Sequence, residues 1–118
     1  MFETKRNDVE LLRDILESIE KVQRYTEGMT FEQFSGNEMT IDAVARNFGI
    51  IGEAAGRLNK EKIVDRFPEI EWRNVTGFRH KIVHDYFEID VRIVWEIRSQ
   101  NLPKLKTQIT EIITELES

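Results

Sequence analysis

The sequence contains no cysteine, only two prolines and only two histidines among its 118 residues. The lack of cysteine excludes disulfide bonds, thiolate nucleophiles and cysteine-based zinc sites. No run approaches the roughly 18 consecutive apolar residues that a membrane span requires, and the first residues lack the apolar stretch of a signal peptide. We therefore expect a cytoplasmic protein that has no membrane partner.

The composition is that of a folded chain, with 40% hydrophobic and 33% charged residues. The length suits one domain, which we predict to span residues 1–118. The formal net charge is −5 at pH 7. A protein that binds nucleic acid over its whole surface is usually basic, because such binding depends on neutralising phosphates. Any contact with nucleic acid should therefore be local.

Apolar residues recur every three or four positions along most of the chain, which is typical of amphipathic helices. No segment alternates with period two, so we predict an all-α fold, an up-and-down bundle of four to five helices. The predicted helices cover about residues 7–27, 38–59, 72–84, 91–100 and 103–116, with shorter segments at 30–36 and 60–67. If Pro103 only kinks the chain, the last two helices form one long element.

The helix predicted for 38–59 has three different rows along its surface. An apolar row forms the core face and contains Ile41, Val44, Phe48, Ile51, Ala55 and Leu58. A row of small residues contains Ala45, Gly49, Gly52 and Gly56, and a polar row contains Asp42, Arg46, Glu53 and Arg57. Glycines inside a helix cost roughly 1 kcal/mol each relative to alanine. Either a closely packed helix or, as the weaker alternative, a ligand or nucleotide backbone should compensate for this cost.

The helix predicted for 72–84 contains no acid and forms a basic segment in an acidic chain. Its polar residues are Arg73, Arg79 and Lys81, together with His80 and His84. On a helical wheel Arg79 falls in the middle of an apolar side formed by Trp72, Val75, Ile82, Val83 and Tyr86. A guanidinium in such a setting needs a carboxylate, a set of carbonyls, a subunit interface or a bound phosphate. A snorkelling or glutamate-paired arginine is the structural alternative.

Arg79 and His84 lie about 140° apart on a regular helix, so their side chains cannot converge within one unbroken helix. Either the helix loosens near His84, or two subunits contribute to one site across a two-fold axis. His80 and His84 have the i, i+4 spacing of a two-histidine metal site. Their neighbours are cations rather than a third ligand, so we expect no metal there. We interpret Trp72 and Trp95 as core aromatics rather than as surfaces on which bases stack. Tyr86 can also be read as an ordinary core aromatic instead of a functional residue.

Arg79-x4-His84-x-Tyr86 resembles the Arg-x4-His-x-Tyr signature of HepT-like proteins, a branch of the HEPN superfamily. Three further blocks support the resemblance, which covers nearly the whole chain: residues 46–54, Trp72-Arg73, and the run from Phe87 through Val94-Trp95-Glu96 to Leu102-Pro103. A lone Arg-x4-His would be weak evidence, but four blocks in order are strong. Here His80 stands where the superfamily more often has asparagine.

The resemblance implies a HEPN-like helical fold and the toxin of a two-gene toxin-antitoxin system. Such a toxin acts as a dimeric, metal-independent endoribonuclease that needs no cofactor, and its partner is a minimal nucleotidyltransferase antitoxin that transfers AMP to the motif tyrosine. Carried onto this chain, His84 is the general base or acid, Arg79 holds the scissile phosphate and Tyr86 is the AMPylation site. His80 is an auxiliary acid-base candidate, Arg73 and Lys81 are RNA-binding candidates, and Arg46 and Glu53 form a supporting polar row.

Two other functions remain open at the level of sequence. In the first, the basic segment binds RNA or a nucleotide without cleaving it. In the second, the chain serves chiefly as a substrate and scaffold for its nucleotidyltransferase. Cleavage products that end in a cyclic phosphate would distinguish an enzyme from a binding module.

Overall fold

A computed structural model describes residues 6–83 and 88–118. Seven α-helices occur in these ranges, and two five-residue π-helical segments lie between them. The α-helices are α1 (Asp8–Tyr25), α2 (Phe31–Ser35), α3 (Glu38–Gly56), α4 (Trp72–Thr76), α5 (Phe78–Ile82), α6 (Val91–Glu96) and α7 (Leu102–Glu117). The π-helical segments are Lys60–Val64 and Ile97–Asn101. The described residues form no strand, only an isolated bridge, so the all-α prediction is confirmed.

The first helix begins and ends where local side-chain chemistry requires it. The side chain of Asn7 accepts a hydrogen bond from the Glu10 amide, and the Glu10 side chain accepts one from the Asn7 amide. This reciprocal capping box satisfies amides that have no partner inside the helix. After the helix, Gly28 adopts φ +75°, which favours glycine and turns the chain toward α2. Thr30 and Gln33 form a second capping box at the start of α2, as the sequence predicts.

The core is built around α1, α3 and α7, and both α3 and α7 pack against α1. The predicted core row of α3, from Ile41 to Leu58, is buried throughout. The shorter α4 and α5 also pack against α3. This leaves the polar row of α3 exposed beside α5, where the candidate site forms.

The continuous helix predicted for residues 72–84 is wrong, because the chain breaks at Gly77 and ends its second helix at Ile82. Gly77 has φ −90° and ψ 4°, and its amide donates to the carbonyl of Arg73, 3.2 Å away. A Cβ atom on Gly77 would lie only 3.2 Å from the same carbonyl oxygen. Gly77 therefore separates two short helices, so one helical wheel cannot describe both halves.

The C-terminal part takes the form of one long element rather than two separate helices. Asp90 caps α6 by accepting from the Ile93 amide, as predicted. The π-helical segment then joins α6 directly to α7, and Pro103 is the second residue of α7. Pro103 therefore does not separate two helices.

The tryptophans act as packing residues, which confirms their interpretation as aromatic anchors. Trp72 is buried, and its indole N–H donates to the carbonyl of Phe67 at 3.0 Å. Trp95 is half-buried and stacks on Phe34 with the ring centroids 5.1 Å apart. Within the described residues, no helix is long and apolar enough to cross a membrane.

Candidate functional site

A groove of about 560 Å³ runs between the exposed side of α3 and the end of α5. Its α3 side is lined by Asp42, Ala45, Arg46, Gly49, Ile50 and Glu53. Its opposite side is lined by Arg79, Ile82, Val83 and Ile89. Ligand sites in proteins commonly have volumes of roughly 300–1,000 Å³, so the groove is large enough for a nucleotide-sized ligand.

Arg79 lines the groove, and buried residues before and after it in α5 anchor that helix. Phe78 and Ile82 are both buried, and the Phe78 ring packs against that of Phe48 in α3 with the centroids 5.7 Å apart. Arg79 itself is exposed, and its Cδ atom lies 3.9 Å from the position that a Cβ on Gly49 would occupy. The aliphatic stem of Arg79 therefore runs over Gly49, and the side chain lines the groove.

A short backbone closure holds the far wall of the groove. At Val83 the chain leaves the helix with φ −91° and ψ 113°, and Val83 forms an antiparallel bridge with Ile89. The amide of Asp90 donates to the carbonyl of Ile82 at 2.6 Å. These contacts hold Val83 and Ile89 together, and both residues line the groove.

The groove is lined by both acidic and basic side chains, and they differ in whether they have an ion-pair partner. Glu53 accepts from Arg57 on the next helical turn at 2.8 Å, so its charge is largely balanced. In the ranges 6–83 and 88–118, neither Arg46 nor Arg79 forms an ion pair with a carboxylate. Two exposed guanidinium groups from different helices therefore face one groove. Such groups bind phosphate oxygens well, because their planar donors match phosphate geometry.

The structure changes the interpretation of Arg79. Its predicted position in the middle of an apolar helix face is wrong, because the break at Gly77 leaves Phe78 and Ile82 to form the buried side. Val83, also predicted to lie on that apolar side, is 42% exposed at the edge of the groove. The helix ends before residue 84, so the 140° separation of a regular helix no longer constrains Arg79 and His84.

Other predicted site residues are distributed unevenly around the groove. Arg46 and Glu53 line it with Arg79, whereas Arg73, His80 and Lys81 are exposed and do not belong to its lining. The candidate base or acid His84 and the candidate modified residue Tyr86 lie outside the described residues. In the part of the chain that the structure describes, no three His, Asp or Glu side chains are grouped to hold a metal ion.

Sequence patterns did not identify the apolar wall of the groove. Ile50, Val83 and Ile89 line it, but they lie on three different segments, and no spacing rule connects them. The row of small residues was a usable signal. A Cβ on Gly52 would meet the backbone of α4, which fits the prediction of a closely packed helix. Ala45 and Gly49 line the groove, which fits the alternative prediction of a ligand.

The family and the relatives that this chain resembles are all named as ribonucleases. Residues 15–112 match a family described as "Ribonuclease HepT-like". A Methanocaldococcus jannaschii protein named "Putative RNase" is 34% identical over 113 residues, which cover 96% of this chain and 93% of that protein. A Thermococcus cleftensis protein named "Probable ribonuclease HepT" is 35% identical over 108 residues, covering 92% and 97% of the two chains.

A third relative comes from a bacterium, Caldanaerobacter subterraneus subsp. tengcongensis. It is named "Putative RNase" and is 33% identical over 102 residues, which cover 86% of this chain and 90% of the relative. No solved structure matches the chain significantly. The matched region includes α3, α5 and both walls of the groove, and the chain belongs to the HepT-like ribonuclease family.

Proposed function

We propose that this chain is a metal-independent endoribonuclease whose active site is the groove between α3 and α5. Family membership supports RNA as the substrate. The observation that carries the proposal is the position of Arg79, which lines the groove and has no carboxylate partner among the described residues. An arginine without a protein carboxylate is suited to a phosphodiester.

The proposed reaction uses the RNA's own 2′-hydroxyl as the nucleophile. Its oxygen attacks the adjacent phosphorus while a base removes its proton, and the bond from phosphorus to the 5′-oxygen breaks as that oxygen gains a proton. The products are a 2′,3′-cyclic phosphate and a 5′-hydroxyl. Proton transfer and stabilisation of charge on the phosphate are sufficient for this reaction.

Arg79, His84 and His80 have different roles in this proposal. Arg79 binds the scissile phosphate and stabilises the charge that develops on it. His84 moves the proton, and it directly follows the groove-lining Val83 in the sequence. His80 is exposed on α5 outside the groove lining, and it serves as the auxiliary acid-base candidate.

The same proposal includes regulation by a partner. The chain acts as a homodimeric toxin, and a minimal nucleotidyltransferase antitoxin silences it by attaching AMP to Tyr86. A phosphate on Tyr86 would compete with an RNA phosphate for Arg79, because both are anions that seek the same donors. The support for this pairing is the family's signature in residues 79–86.

Cleavage of RNA by purified variants tests the proposed activity. We expect Arg79→Ala and His84→Ala each to lower kcat by roughly 10²-fold or more while the protein stays folded and dimeric. Cleavage should persist in EDTA, and its products should carry 2′,3′-cyclic phosphate ends. RNA that binds to the wild-type protein without being cut would instead indicate a non-catalytic binding module, and a fully active His84→Ala would contradict the role of His84.

Mass spectrometry of the protein coexpressed with a minimal nucleotidyltransferase of the proposed antitoxin type tests the regulation. We expect one or more AMP groups on Tyr86 and loss of RNA cleavage in the modified protein. A Tyr86→Phe variant should remain unmodified and active in the same cells. An unmodified Tyr86 in the presence of ATP and the transferase would count against the antitoxin mechanism.

A further inference from the structure

We infer that Arg46 is a second phosphate-binding residue, which holds the backbone phosphate next to the scissile one and so positions the RNA in the groove. The inference rests on the proposed function, because it assumes an RNA substrate. It adds a contact from α3, which lies outside the Arg-x4-His-x-Tyr motif. The groove would then hold two successive phosphates of one strand.

The position of Arg46 on α3, relative to the point where the Arg79 side chain crosses that helix, supports this assignment. Arg46 precedes Gly49 by three residues, or about 4.5 Å along the axis of a regular α-helix. Residues three apart lie on the same face. The stem of Arg79 crosses α3 at Gly49, 3.9 Å from where a Cβ would be. Arg46 therefore leaves α3 less than one helical turn before the level at which the Arg79 stem crosses it, and both side chains line the same groove.

The charges around Arg46 also favour a ligand over an internal ion pair. Asp42 lies four residues earlier on the same face, in the order that usually favours a helical ion pair. No such pair forms, and Arg46 is exposed in the groove. Arg57, by contrast, is occupied by Glu53 at 2.8 Å. Of the two arginines on this polar row, Arg46 is the one that lines the groove.

The groove is also lined by apolar side chains, which a nucleotide between these phosphates could contact. Ile50 and Ile82 lie on its two sides, and Val83 exposes apolar surface at its edge. A ribose or base can cover such a surface while its phosphates contact the arginines at either end. This arrangement predicts that Arg46 contributes to binding and alignment, and that Arg79 contributes to the chemical step.

Salt-dependent binding of a non-cleavable single-stranded RNA with 2′-O-methyl riboses tests the inference. Removal of one phosphate-binding cation should make the slope of log K against log salt shallower by about 0.7 for a single strand. We expect Arg46→Ala to show that change, together with KM raised by about tenfold and kcat close to wild type. Arg46→Lys should restore the slope, because it restores the charge.

Arg24→Ala is the matched control, because Arg24 is also exposed and lies outside the groove lining. It removes the same unit of charge and should leave the slope and KM unchanged. A slope for Arg46→Ala equal to that of the wild type would overturn the inference, and so would a fall in kcat with KM unchanged. If the wild-type protein neither binds nor cleaves RNA, the proposed function itself fails, which is a distinguishable result.

Discussion

At the scale of single residues, three glycines of α3 that look alike in sequence have different surroundings. A Cβ on Gly52 would lie 3.0 Å from the backbone oxygen of Thr76, closer than nearly all real contacts. A Cβ on Gly49 would meet only the flexible Arg79 side chain at 3.9 Å, and one on Gly56 would meet nothing within 4 Å. Helix packing therefore explains Gly52 alone.

Matched alanine substitutions at Gly52 and Gly56 test this difference. Gly56→Ala should raise the free energy of unfolding by up to about 1 kcal/mol, because alanine loses less backbone entropy in a helix. Gly52→Ala should lower it, because α4 must move away from α3. Urea unfolding measures both. Equal effects of the same sign would show that α4 does not pack on Gly52 as described.

At the scale of secondary-structure elements, the structure departs most from the sequence prediction between residues 72 and 90. Apolar periodicity correctly identified α1, the core row of α3 and α7, because long amphipathic helices show several turns of their pattern. The break at Gly77 replaced one long helix by two five-residue helices. Such short helices carry too few turns to show a period, although the glycine itself was a usable breaker signal.

The candidate site was predictable only in part for the same reason. The motif identified Arg79, and the polar row of α3 identified Arg46 and Glu53, all of which line the groove. The opposite wall depends on the long-range closure between Val83 and Ile89, which no local pattern encodes. The exposure of Arg79 was missed because one helical wheel was drawn through the break at Gly77.

Substitution of Asp90 tests whether the cap of α6 supports that closure. The Asp90 side chain caps α6, whereas its backbone amide bonds to Ile82 and is kept in any such variant. Loss of the cap would therefore act on the closure by loosening the first turn of α6 beside it. Asp90→Ala should lower the free energy of unfolding by about 1 kcal/mol, as loss of a helix cap usually does, and should reduce RNA cleavage. Asp90→Asn keeps a capping oxygen and should retain both properties. Chemical unfolding and cleavage rates measured together would show an independent cap if only stability changed.

At the scale of the whole molecule, the ion pairs of the described residues other than Glu53–Arg57 lie outside the groove lining. Pairs such as Arg13 with Glu117 and Arg66 with Glu115 connect α7 to α1 and to the segment after the first π-helical turn. Arg46 and Arg79 face the groove without such partners among the described residues. A protein of net charge −5 can therefore present a local cationic site.

Two substitutions on α7 compare the sources of stability. Ile109 is fully buried, so Ile109→Ala should lower the free energy of unfolding by roughly 2–5 kcal/mol through the cavity that it leaves. Glu115→Gln breaks an exposed pair with Arg66 and should cost less than about 1 kcal/mol. Thermal or urea unfolding measures both. A larger loss from Glu115→Gln would mean that surface pairs, rather than the core, hold α7.

The most direct test of the proposed function is RNA cleavage by the purified protein in EDTA, with wild type, Arg79→Ala and the charge-matched Arg24→Ala compared under one condition. We expect wild type and Arg24→Ala to cut RNA at similar rates and to leave 2′,3′-cyclic phosphate ends. Arg79→Ala should be slower by roughly 10²-fold or more. Cleavage by Arg79→Ala at the wild-type rate would contradict the assignment of the active site to this groove.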